Sequence, residues 1–160
     1  MNLIKNIKIL LVLTAVSLFI SIGLYFDGKV NKSNNDQKSL IPNFDEILSQ
    51  IHSIEFKNEA ESTIIQDIDE QWLVTSALNL PANTELLSRF FVQIREAKIV
   101  SPKTSNPDLF FKLGLDEEKS QTLVLKSKSD EILYSLDIGD FNYKIPGTYI
   151  KETSSDQSYL

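Results

Sequence analysis

Hydrophobic residues are distributed along the chain in two distinct ways. Ile9–Phe26 is an unbroken run of eighteen residues without a charge, bracketed by Lys8 and Asp27. As a helix it would be about 27 Å long, close to the roughly 30 Å of a bilayer's hydrocarbon core. Its polar members, Thr14, Ser17 and Ser21, can bond back to their own helix carbonyls. The pattern predicts a transmembrane segment preceded by a short head, residues 1–8. Ser21-Ile22-Gly23 offers the small residues of a signal-peptide cleavage site. The apolar run nevertheless continues through Leu24, Tyr25 and Phe26, longer than a signal core, and its aromatics suit a membrane interface. A retained signal anchor is the preferred reading. Lysines on both sides nearly balance the positive-inside rule; the shortness of the head places the rest of the chain outside the cytoplasm, in the periplasm or cell exterior.

Beyond this run the periodicity becomes short and mixed. Asp27–Leu40 is rich in Asn, Ser, Lys and Asp and reads as a flexible tether, ranging about 20 Å as a random coil. Residues 41–160 read as one α+β domain, a mainly antiparallel sheet covered by one principal helix with short helices. Asn43 and Glu46 suggest a capping box opening a helix to about Gln50, with Ile47 packing back on Pro42 or Ile41. Ile51–Lys57 alternates as a half-buried strand, and Thr63–Asp67 and Gln71–Thr75 follow around the acidic turn Asp67–Glu70. Asn83 caps the principal helix, which runs to Ala97 with Leu86, Leu87, Phe90, Phe91 and Ile94 on one face and a Glu85–Arg89 pair on the other. Lys98–Val100 leads out of it. Pro107 after Asn106 starts a short helix that Gly114 ends. Gln121–Lys126 and Ile132–Ile138 form a hairpin across Ser127–Asp130. Thr148–Lys151 pairs with Gln157–Leu160, a strand ending at the last residue, which reads as a truncated or a natural end.

Composition narrows the chemistry. The chain has no cysteine, hence no disulfide or thiolate site, and its single histidine, His52, cannot build a multi-histidine metal centre. Five lysines and two aspartates give residues 1–40 a charge of +3, so residues 41–160 carry −9 of the net −6. An acidic body of this kind excludes a nucleic-acid partner, whose phosphates require clustered Lys and Arg. The 5 glycines include no phosphate-binding loop, so no cofactor is expected.

The remaining candidates are few. His52 stands in no Ser-His-Asp order and reads as structural. Asp67, Asp69 and Glu70 could gather oxygens on a hard cation, yet the loop lacks the glycine and distal glutamate of a calcium loop and reads as a solvated turn. Asp116-Glu117-Glu118 reads the same way. Asp137 and Asp140 flank Gly139, which suggests a bulge or turn rather than an acid/base pair. Trp72 reads as a sheet-face residue, with ligand stacking as the alternative. The expectation is therefore no catalytic, cofactor or metal residue.

The order of certain short motifs resembles a known family. These are Ile51–Phe56, Trp72-Leu73-Val74, Leu80-Pro81-Ala82-Asn83, Ala97-Lys98-Ile99-Val100 and Leu113-Gly114-Leu115. Asp137-Ile138-Gly139, Gly147-Thr148-Tyr149-Ile150 and Tyr159-Leu160 complete the series. Together they resemble the domain of unknown function family numbered 4340, over about residues 41–160. The resemblance implies an extracytoplasmic bacterial or archaeal domain on one N-terminal helix, in some members beside ABC-type transporters of the export or gliding kind, and it carries over no catalytic residue. Longer members continue beyond the last motif. Two functions follow as expectations. The first is a non-enzymatic, membrane-tethered module that binds a partner protein, an ABC-type transporter component as the resemblance implies. The second is a tethered hydrolase or binding protein for an envelope polymer, using carboxylates such as Asp67, Asp69, Asp137 or Asp140.

Overall fold

The computed structural model describes residues 37–160. The head 1–8, the expected span Ile9–Phe26 and the expected tether up to Asp36 lie outside the described residues. Among the described residues no helix is long and apolar enough to cross a membrane.

Eight strands form one antiparallel sheet: β1 Ser53–Lys57, β2 Ser62–Ile68, β3 Gln71–Val74, β4 Leu80–Pro81, β5 Gln121–Lys126, β6 Ile132–Asn142, β7 Gly147–Glu152 and β8 Ser158–Tyr159. Their spatial order is β4-β3-β2-β1-β5-β6-β7-β8. β1 is thus the hub, with one meander running away from it on each side. Its alternation explains the position: Ile54 faces Ile65 and Leu125, and Phe56 faces Leu123, so one face of β1 continues an apolar stripe in both directions. Ile54 and Leu125 are fully buried.

That stripe is covered by two helices, α1 Phe44–Leu48 and α2 Thr84–Glu96. Asn83 caps α2, its side chain accepting from the Glu85 and Leu86 amides, and Glu85 pairs with Arg89 as the sequence predicts. Leu87 and Ile94 are buried, and Phe90 and Phe91 are half-buried against the core. Phe90 packs edge-on against Phe56 at 5.6 Å, and Phe91 against Trp72 at 6.1 Å. Trp72 is thereby a sheet-face packing residue. Leu86 departs from the expected apolar face and stays exposed.

Several details differ from the sequence expectation. Asn43 precedes α1 in left-handed backbone (φ 54) and makes no side-chain cap, so the capping box with Glu46 does not form and the helix stops at Leu48. Residues 38–40, expected in the tether, lie against the strand leaving α2: the Leu40 amide donates to the Ala97 carbonyl and the Ile99 amide to that of Lys38. The segment from Val100 to Thr104 then bonds along β8, which gives that edge a further partner. β6 continues four residues past Ile138, with a register shift between Ile138 and Phe141. Gly139 therefore marks a bulge within a strand, where it lets the Leu113 carbonyl approach. The expected short helix is a 3-10 helix, Pro107–Leu113, capped by Asn106 and closed by Gly114 at φ 65.

Candidate functional site

The strand register divides the candidate residues between the two faces of the sheet. Asp67 faces Trp72 across β2 and β3, on the side of α2. Asp137 faces Thr122 and Lys151, on the opposite side. Asp69 and Glu70 form the two-residue β2–β3 turn with φ of 52 and 63, as a tight hairpin demands. Asp140 is exposed beside Gly114. His52 precedes β1, its amide donating to Lys126 and its carbonyl accepting from Asp67. The four carboxylates of the hydrolase alternative therefore do not converge. Among the described residues, no three His, Cys, Asp or Glu side chains gather as a metal centre.

On the face away from α2, the 3-10 helix and the loop that follows it roof an open cleft of about 600 Å³ over β5, β6 and β7. Asp137 lies at its base and is buried. Its Oδ2 accepts from Lys151 Nζ at 2.8 Å. Its Oδ1 accepts from the Thr122 hydroxyl at 2.9 Å and the Thr153 hydroxyl at 3.1 Å. Thr153 thus uses its proton on Asp137, which leaves Ser135 to donate to Thr153 at 2.9 Å. Lys151 Nζ also sits 5.8 Å from the centre of the Phe110 ring. Both oxygens of Asp137 are engaged by donors fixed on neighbouring strands. Three of the roughly four acceptor sites of this carboxylate are thereby taken, so it ties the strands together.

A second polar pair crosses the same face. Lys126 Nζ lies 3.2 Å from Glu55 Oε2, and Ser62 donates to the other Glu55 oxygen at 3.0 Å. Burial alone would raise the Glu55 carboxyl. The Lys126 and Ser62 hydrogen bonds, with the charges of Lys126 and Lys57, outweigh it and hold the group below its ordinary 4.5. The Glu55 hydrogen bond in turn raises Lys126 above 10.5, burial opposing and Asp130 assisting. Across the sheet, burial pushes the Tyr134 hydroxyl up, with Glu152 adding to the effect.

The other face carries a different feature. Between α2 and the β3–β4 edge lies a groove of about 240 Å³, walled by Ile54, Phe56, Ile65, Val74, Ala82, Leu87 and Phe90, with Leu86 at its rim. Leu80, paired with Val74, is exposed. Two residues earlier, Leu78 is 94% exposed and held at φ 57, followed by Asn79 at φ 56. Left-handed backbone costs a leucine about 1–2 kcal/mol, so Leu78 is presented to solvent under strain, whereas Asn79 adopts this backbone readily.

Sequence reasoning missed both features. Lys151, Thr122 and Thr153 could be joined to Asp137 only through register, which periodicity alone does not supply. The groove had a weak signal in Leu78, Leu80 and Leu86, three leucines around the Pro81 break. No family model, curated protein or solved structure matches the chain.

Proposed function

We propose that residues 37–160 are a non-enzymatic binding module, held outside the cytoplasm by the expected Ile9–Phe26 span, and that the groove beneath α2 receives an apolar anchor of a membrane-protein partner. The observation that carries this reading is an apolar groove left open where the rest of the apolar stripe is covered. The β4 edge ends at Pro81, which has no amide to donate, so strand addition is disfavoured and a side-chain anchor suits the site. The resemblance to the family numbered 4340 makes an ABC-type envelope transport component the partner of choice. Asp137 supports the non-enzymatic side of the proposal, because three of its roughly four acceptor sites are already taken by Lys151, Thr122 and Thr153.

A photo-crosslinking residue in place of Leu86, in the full chain in native membranes, tests the reading. The expected result is one adduct with an integral membrane protein, abolished by Ala82→Glu, which puts a charge on the groove wall. Survival of the adduct in the Ala82→Glu chain overturns the groove as the site. Turnover of an envelope polymer by the purified chain, lost on Asp137→Asn, overturns the non-enzymatic reading.

A further inference from the structure

The longest hairpin of the sheet extends beyond its neighbours. β5 begins at Gln121 opposite Ile138, and β8 pairs only with Ile150 and Lys151, so Phe141–Pro146 projects past the paired strands, with the Leu160 side chain against Gly147 at its base. At its end Tyr143 is 86% exposed, with Ile145 and Phe141 about half exposed. Phe141 and Tyr143 pack edge-to-face at 5.0 Å. The turn is pre-shaped: Asn142 Oδ1 accepts from the Lys144 amide at 2.9 Å and the Ile145 amide at 3.3 Å, while its Nδ2 donates to the Tyr149 hydroxyl at 2.8 Å. These bonds hold three large side chains outward before any ligand is met.

Charge singles out the same segment. Phe141–Ile150 contains no acidic residue and one lysine, the exposed Lys144 at the tip, in a body of net charge −9; the exposed Asp140 precedes it. Tyrosine, phenylalanine and isoleucine beside a lysine suit the boundary between acyl chains and anionic headgroups, where an aromatic body is buried and a polar tip stays wet. The acidic remainder of the domain would be repelled from that surface.

We propose that the β6–β7 tip is a second membrane contact, with Phe141, Tyr143 and Ile145 dipping into the headgroup region of an anionic bilayer and Lys144 meeting lipid phosphate. The inference rests on the membrane-anchored part of the reading above. Reach permits it. Tyr134, eight residues back along β6, hydrogen-bonds the Leu40 carbonyl. The tip is therefore about 27 Å along the strand from where the chain joins the domain. The eleven residues Asp27–Gln37 span about 36 Å when extended.

The chain has no cysteine, so Ile145→Cys gives a single labelling site. The full chain is reconstituted into vesicles of phosphatidylethanolamine and phosphatidylglycerol, labelled there with an environment-sensitive fluorophore, and challenged with spin-labelled lipid. A second chain labelled at Ser129→Cys, in the β5–β6 turn at the other end of β6, is the control. The expected result is a blue shift and strong quenching at the tip, neither at the control, and weaker quenching when Lys144→Glu is added. A chain that floats with the vesicles while its tip label behaves like the control overturns the tip contact and leaves the anchor standing. A chain that does not float overturns the anchor and the tip contact together.

Discussion

Replacing Lys151 with Met removes the charge at the base of the polar cleft while keeping most of the aliphatic stem. Lys151 and Asp137 are 2.8 Å apart, with only 12% of each side chain exposed. Removing one partner of a buried pair costs about 3–5 kcal/mol, because the other charge is stranded. Two features lower that figure: the pair borders an open cleft, and Asp137 keeps the Thr122 and Thr153 hydroxyls. We expect about 2–3 kcal/mol for Lys151→Met, and a coupling of roughly 2 kcal/mol with Asp137→Ala in a double-mutant cycle. Urea unfolding followed by the fluorescence of Trp72, the only tryptophan, measures both. Trp72 lies on the opposite face of the sheet, so the substitutions do not quench it directly. The loss should change little between low and high salt, as befits a pair shielded from solvent. A cost below about 0.5 kcal/mol, or a coupling that salt abolishes, would mean the pair behaves as a surface ion pair. The account of Asp137 and Lys151 as a buried, hydrogen-bonded pair would then fail.

Two further outcomes follow from the same face. Gly139→Ala should lower stability by about 1–3 kcal/mol, because its new methyl meets the Leu113 carbonyl, and a thermal melt should show it; an unchanged melt would mean the 3-10 helix does not rest on the bulge. Glu55, held below 4.5 when folded, contributes stability that is present above that value and is lost as the pH falls through its folded pKa. Lys126, raised above 10.5, contributes below that value and loses its share as the pH rises further. Denaturant titrations should therefore show Glu55→Gln less stable than the parent at neutral pH, the gap closing below pH 4.5; a gap that persists in acid refutes the ion-pair account.

The sheet was legible wherever alternation was clean. Ile54 and Phe56, set against Ser53 and Glu55, mark β1 and its buried face, and Asn83 with the Leu87-to-Ile94 spacing marks α2. Boundaries failed where a tertiary partner overrode local preference. Residues 38–40 have the composition of a linker, yet two backbone hydrogen bonds with Ala97 and Ile99 hold them in the domain. β6 outruns the expected stop at Gly139 because the bulge re-aims the strand instead of ending it. Asn43 has the right residue type for a cap but adopts left-handed backbone, where its side chain forms no cap. The candidate site was the least legible, because Asp137 acquires its meaning from Thr122 on one stretch of chain and Lys151 and Thr153 on another. The exposed tip had a readable signal in Phe141, Tyr143 and Ile145 at alternate positions before Pro146-Gly147.

The proposed binding role draws on how the polar and apolar groups of the domain are satisfied. Asp137, the buried carboxylate of this domain, is held through both oxygens by three donors. Two carboxylate oxygens are enclosed without a partner, Asp67 Oδ1 and Asp116 Oδ2. Such groups are where an unrecognised role would be sought. Asp67 lies on the α2 face beside Trp72, whereas Asp116 borders the polar cleft on the opposite face. The sheet separates them, so they cannot act together as acid and base. Besides these two oxygens, the domain leaves apolar surface uncovered: the groove under α2, the exposed Leu78 in left-handed backbone, and the aromatic hairpin tip. Apolar surface held open by fixed backbone gains free energy when another surface covers it.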